Sequence, residues 1–148
     1  MKIPCPRCGQ LTLWKLVLPP RQEPQFRTSK RRRLLLIDDD PDTLRILQIM
    51  LRPELYHVVT ADSANAAIER LQAEDFDVIV SDIRMPGFDG RSLYRFLACF
   101  LPEYVGKVVF LTGDRSEKTL RFLRESNCPY SFKPLQLNEL YEKIQEVG

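Results

Sequence analysis

No apolar run in this chain approaches the roughly 20 residues that a membrane-spanning helix needs. The stretch LTLWKLVL at 11–18 is too short and carries Lys15. The N-terminus also lacks the apolar core and small-residue cleavage site of a secretory signal, so a cytoplasmic protein is expected. Cysteine and histidine are scarce. Cys99 and Cys128 stand singly in apolar or turn contexts, which suggests packed thiols rather than a disulfide framework. The motif CPRCG (Cys5, Cys8) is followed by no second Cys-x-x-Cys and no histidine pair, since His57 is the single histidine. Two thiolates are half of a tetrahedral zinc site. Two free thiols are the favoured reading, with zinc on Cys5 and Cys8, within one chain or shared between two as in a homodimer, as the alternatives. Internal repeats and long low-complexity tracts are absent as well.

The 148 residues suffice for one domain with a proper core. Apolar content of 44% and charged content of 28% are ordinary for a soluble globular protein, and so identify a class but no function. The net charge of +2 hides an asymmetry. Residues 1–33 hold 9 of the 22 Lys/Arg and 1 of the 20 Asp/Glu, a balance of +8, which leaves −6 on the remainder. Five prolines (Pro4, Pro6, Pro19, Pro20, Pro24) fall in the same stretch. The expected organisation is a basic, proline-containing extension over 1–33 and an acidic domain over 34–148. The basic run Lys30–Arg33 suits a solvated linker. A nucleic-acid-binding adaptor is the alternative, although no recognition helix accompanies the run.

From residue 33 onward, strand-like and helix-like segments alternate. RLLLI (33–37), YHVVT (56–60), DVIVS (77–81), KVVFLT (107–112) and YSF (130–132) read as strands. Asp40-Pro41 reads as a helix cap and first turn, with Leu44, Leu47 and Leu51 as its apolar stripe. Ser63 and Asp89 are candidate caps for the next two helices, and Asp114 or Ser116 for the fourth, whose apolar face is expected at Leu120 and Leu123. Leu137, Leu140, Tyr141, Ile144 and Val147 stripe the last helix. Gln136, at its cap position, is a poor capping residue. Five βα units imply a parallel sheet covered on both faces. Such sheets bind ligands beyond the carboxyl ends of their strands.

Those ends carry a coherent set of side chains. The first strand ends in Asp38-Asp39, the third in Ser81-Asp82 and the fourth in Thr112-Gly113; Lys133-Pro134 follows the fifth. Clustered carboxylates need a cation. A hard divalent ion such as Mg2+ suits one or two of them together with waters and a phosphate. A lysine and a hydroxyl suit phosphoryl oxygens. This is chemistry for placing phosphate on an aspartate.

The segments LLLIDDDP, DVIVSDIRMPGFDG, VVFLTGD and SFKP, in this order and spacing, resemble the response-regulator receiver domain of two-component signalling over about residues 33–148. The resemblance implies a flavodoxin-like (βα)5 fold with strand order 2-1-3-4-5. It implies a phosphoacceptor signalling module, not a turnover enzyme. Because the sequence ends with the fifth helix, a stand-alone receiver without an output domain is expected. Asp82 would be the phosphoacceptor. Asp39 would ligate Mg2+ directly, Asp38 largely through water, and Arg84 through its backbone carbonyl. Thr112 would bond the phosphoryl group, Lys133 would pair with it, and Tyr130 would be the switch aromatic. Lys133-Pro134 would be cis. The implied partners are a sensor histidine kinase or histidine phosphotransfer protein as donor, and an unknown downstream protein.

Beside the resemblance, Asp40 and Asp89 are expected as caps and His57 has no assigned role. Arg84 and Asp114 are expected to approach each other across the site mouth and hinder attacking water. DDPDT also mimics the Asp-x-Asp-x-Thr motif of haloacid-dehalogenase phosphatases, which would put the nucleophile at Asp38 or Asp40. That reading needs a later acidic pair after a strand, and none follows Asp82.

Overall fold

The computed structural model describes residues 3–4, 11–12 and 31–147. Cys5, Cys8, Lys30 and most of the expected extension lie outside the described residues. Ile3–Pro4 and Leu11–Thr12 form a two-stranded antiparallel pair, with Ile3 opposite Thr12 and Pro4 opposite Leu11.

The strands are β1 (Arg32–Ile37), β2 (Tyr56–Ala61), β3 (Val78–Ser81), β4 (Val108–Thr112) and β5 (Tyr130–Phe132). They pair in parallel in the order 2-1-3-4-5, as the resemblance implies. Between and after them run α1 (Pro41–Met50), α2 (Ala64–Ala73), α3 (Gly90–Phe100), α4 (Glu117–Ser126) and α5 (Leu137–Gln145). Successive residues of a strand face opposite sides, so β1 feeds two cores. Leu34 and Leu36 pack with Leu44 and Leu47 of α1 and Leu140 and Ile144 of α5. Leu35 and Ile37 pack with α2, α3 and α4 through Leu71, Leu97 and Leu123. Burial on both faces explains why β1 and β3 read as unbroken apolar runs.

The expected caps are present. Asp40 accepts from the Asp42 amide at 3.0 Å and Ser63 from Ala66 at 3.1 Å. Asp89 accepts from Ser92 at 3.0 Å. Ser116, rather than Asp114, caps α4, accepting from Thr119 at 3.4 Å. Gln136 makes no side-chain cap bond. On α4 the fully buried positions are Thr119 and Leu123, with Leu120 only half-buried. The Ser116 cap starts the helix in a phase that turns Thr119 inward. A 3-10 turn at Pro102–Lys107, not anticipated from the sequence, drops Tyr104 into the core, where its hydroxyl accepts from the Phe76 amide at 3.2 Å.

Candidate functional site

β1 and β3 are adjacent, and their register sets Ile37 beside Ser81. The residues that follow, Asp38 and Asp82, are therefore neighbours at the carboxyl edge of the sheet. The Asp82 amide donates to the Ile37 carbonyl at 3.0 Å, and the Asp38 amide to Ala61 at 3.2 Å, which extends the ladder one residue past the strands. Asp38 is 3% exposed and Asp82 8% exposed. Two carboxylates at this depth need partners.

Lys133 supplies one. It leaves β5 at the same edge, where its amide donates to the Thr112 carbonyl at 2.9 Å. Its Nζ reaches Asp38 Oδ2 at 2.8 Å and Asp82 Oδ2 at 3.0 Å. The Lys133-Pro134 bond is cis. The remaining oxygens meet backbone amides. Asp38 Oδ1 accepts from Asp40 at 3.0 Å, and Asp82 Oδ1 from Ile83 at 2.7 Å and Arg84 at 3.3 Å. Asp39 is exposed, yet one oxygen from each of Asp38, Asp39 and Asp82 lies within 4.8 Å of the others.

One ammonium for two buried carboxylates accounts for the electrostatics. Burial pushes the Asp82 carboxyl above its ordinary range; Lys133 opposes this, and the negative Asp38 adds to it. Burial works against the charged form of Lys133 too. Its bonds to Asp38 and the charge of Asp82 outweigh that and hold the ammonium above its ordinary value. The lysine sees two anions, whereas each carboxylate has half a cation. With Asp39 the cluster carries an excess of negative charge and three oxygen donors, a set that fits a hard divalent ion.

The other expected residues fall around this cluster. Thr112 ends β4 fully buried, its Oγ1 accepting from the Asp114 amide at 3.1 Å. Tyr130 is half-buried in β5 and meets Phe132 edge-on at 5.6 Å. Arg84 and Asp114 line one groove of about 540 Å³ with Asp89, Arg91, Ser116 and Lys118, and the charge of Arg84 reaches Asp114 there without a close ion pair. The Asp114 carboxylate is held by its own helix start: Oδ1 accepts from the Ser116 amide at 3.0 Å and Oδ2 from Thr119 Oγ1 at 2.5 Å. Those bonds, and weakly the charge of Arg84, lower the Asp114 carboxyl below its ordinary range. Asp40 is likewise occupied, accepting from the Asp42 amide and from Thr43 Oγ1 at 2.8 Å, as the cap of α1. His57 is exposed on the edge strand β2.

Sequence reasoning missed a supporting residue. A Cβ at Gly90 would lie 2.4 Å from the Asp82 carbonyl oxygen and 2.8 Å from Ile83 Cα. The Gly90 amide donates to the Ile83 carbonyl at 2.8 Å. The first turn of α3 therefore presses directly on the backbone that carries Asp82. The available signal was a glycine placed just after a helix cap, where a helix gains nothing from it.

Known proteins share the sequence pattern and the fold. Residues 34–145 match the family model described as the response regulator receiver domain. The two-component response regulator ARR10 of Arabidopsis thaliana is 34% identical over 118 residues, covering 78% of this chain and 21% of that protein. ORR22 of Oryza sativa is 32% identical over 130 residues, 86% of this chain and 18% of that protein. The chain thus spans about a fifth of the length of these relatives. Among solved structures, a signal receiver domain of an HD domain-containing protein from Pseudomonas fluorescens Pf-5 has a TM-score of 0.71 at 27% identity, covering 79% of this chain and 94% of that one. A CheY-like receiver from Methanospirillum hungatei has 0.69 at 29%, covering 78% and 92%. The Asp38–Asp39–Asp82 cluster is the acidic triad typical of phosphoacceptor receivers, and the chain belongs to the response regulator receiver domain family.

Proposed function

We propose that this chain accepts a phosphoryl group on Asp82 from a phosphohistidine donor, a sensor histidine kinase or a histidine phosphotransfer protein, and signals through a downstream protein. The receiver would comprise residues 34–148, preceded by an extension over 1–33. The observation that carries the reading is the shared ammonium: two buried carboxylates on Lys133 with a third carboxylate at hand. A structural ion pair has no use for the surplus.

Asp82 is the nucleophile. A carboxylate oxygen forms the new O–P bond as the N–P bond of the donor imidazole breaks, and the imidazole leaves with the electron pair and takes up a proton. Asp38, Asp39, Asp82 and the Arg84 backbone carbonyl would hold Mg2+, which when bound neutralises the cluster enough for a carboxylate to meet a phosphoryl group. Lys133 leaves its carboxylates to pair with the phosphoryl oxygens. Thr112 turns its hydroxyl, now accepting from Asp114, toward them. Movement of the Thr112 loop draws Tyr130 inward and reshapes the face formed by α4, β5 and α5. Hydrolysis of the acyl phosphate resets the domain, so the protein is a self-resetting acceptor rather than a turnover enzyme. Among the described residues no helix is long and apolar enough to cross a membrane.

Incubation with a small phosphodonor such as acetyl phosphate, with and without Mg2+, tests this reading. Labelling that needs the ion and is lost in Asp82→Asn is expected. Undiminished labelling in Asp82→Asn would overturn it.

A further inference from the structure

The loops that follow β3 and β4 do more than carry Asp82 and Thr112 out of the sheet. They form two walls of the groove of about 540 Å³, with Arg84, Pro86, Asp89 and Arg91 on one and Asp114 and Lys118 on the other. Both walls are tied to the site. The Arg84 amide donates to Asp82 Oδ1 at 3.3 Å, and the Asp114 amide to Thr112 Oγ1 at 3.1 Å. The groove thus begins two residues from Asp82 and two from Thr112.

Its charges are of two kinds. The carboxylates are already taken up by helix starts. Asp89 Oδ1 accepts from the Ser92 amide at 3.0 Å and its Oδ2 from Arg91 at 3.1 Å, while both Asp114 oxygens accept from Ser116 and Thr119. Two cations are left over. Among the described residues the exposed Arg84 guanidinium and Lys118 ammonium make no hydrogen bond and no close ion pair. Arg91 keeps further N–H donors beyond the one given to Asp89. Phe88, in the same loop as Pro86 and Asp89, is 37% exposed and adds an apolar contact. Residues 34–148 carry −6 overall. An acidic partner is therefore repelled by the domain at large and attracted here.

We propose that this groove takes up an acidic segment of the phosphodonor protein, adjacent to its phosphohistidine and with an apolar residue against Phe88. The proposal rests on the phosphoacceptor reading and deepens it. A surface that presents an imidazole to Asp82 has to cover the mouth of the site, and the β3–α3 and β4–α4 loops are part of its rim. Arg84, Arg91 and Lys118 then select donors by charge, through encounter and register more than through the transfer itself.

Two synthetic peptides with a single phosphohistidine test this, one flanked by Glu and Leu and one in which Gln replaces each Glu. At low ionic strength the parent chain is expected to take phosphate from the Glu peptide about tenfold faster, the lower end of electrostatic steering. Salt at about 0.5 M should erase the difference. Lys118→Glu lies in the first turn of α4, where a carboxylate suits the helix dipole and the fold is kept. It is expected to cut the preference to about twofold or less, whereas Lys118→Arg keeps it. Equal rates from the two peptides in the parent overturn the proposal, as does an undiminished preference in Lys118→Glu. Labelling by acetyl phosphate, run beside each reaction, separates the two levels. A parent labelled by acetyl phosphate but indifferent to the flanking residues sinks the groove alone. A parent that takes no phosphate from acetyl phosphate or from either peptide sinks the phosphoacceptor reading and the groove with it.

Discussion

The two ends of the central sheet both carry buried or half-buried charge, and they use it differently. At the amino end, Arg33 Nη2 meets Glu74 Oε1 at 2.6 Å, its Nε donates to the Asp75 carbonyl at 3.0 Å, and its guanidinium lies 5.4 Å from the centre of the Phe76 ring. Its amide donates to Asp77 Oδ2 at 2.7 Å. Arg32 reaches the last turn of the chain, donating to the Val147 carbonyl at 2.7 Å. Each cation there has its own acceptors. At the carboxyl end a single ammonium is divided between Asp38 and Asp82, with Asp39 beside them. Charge near a sheet end thus says little by itself. Imbalance of charge, held in place by burial, distinguishes a site from a scaffold.

Substitutions that treat the two ends alike should give opposite results. The largest contrast is Asp82→Asn, which removes phosphate labelling altogether while the unfolding free energy stays level or rises, because one of two competing anions is gone. A clear loss of stability in urea unfolding would mean that Asp82 is structural. Gly90→Ala comes next. Its methyl would strike the backbone under Asp82, for a loss of about 1–3 kcal/mol typical of overpacking, together with slower labelling. Arg33→Met at the other end should cost about 1 kcal/mol, the scale of a partly exposed pair and its hydrogen bonds, and leave labelling unchanged. The smallest effect belongs to Asp114→Ala, about 0.5–1 kcal/mol for bonds at a helix start. Its pH dependence has a definite sign. The Asp114 carboxyl is lowered in the folded state, so its stabilisation is complete above the ordinary aspartate range and fades as pH falls through it. Parent and variant should therefore converge in acid unfolding; a gap that widens toward low pH would contradict the assignment.

Much of this was legible before the coordinates. Apolar runs buried on two faces cannot alternate, so β1 and β3 declared themselves, and short polar residues before apolar stripes marked Asp40, Ser63 and Asp89 as caps. Strand ends in a parallel sheet converge whatever the chain between them, which is why Asp38, Asp82, Thr112 and Lys133 could be gathered from spacing and family resemblance. What escaped were relations that depend on phase and side-chain choice. Lys133 bridges Asp38 across 95 residues of sequence, and no local pattern encodes which carboxylate an ammonium selects. Asp114 had two possible partners, Arg84 across the groove and Ser116 with Thr119 nearby, and the local bonds won because they order fewer side chains. The same helix start set Thr119 rather than Leu120 inward.

The central claim is that the surplus of carboxylates at the carboxyl end serves phosphoryl transfer to one of them. The most direct test is to phosphorylate the parent chain with acetyl phosphate and Mg2+, trap the acyl phosphate by borohydride reduction, and map the modified residue by peptide mass spectrometry. The account predicts modification at Asp82 alone. Modification at Asp38 or Asp40 would contradict it and would favour the phosphatase-like reading of the DDPDT motif.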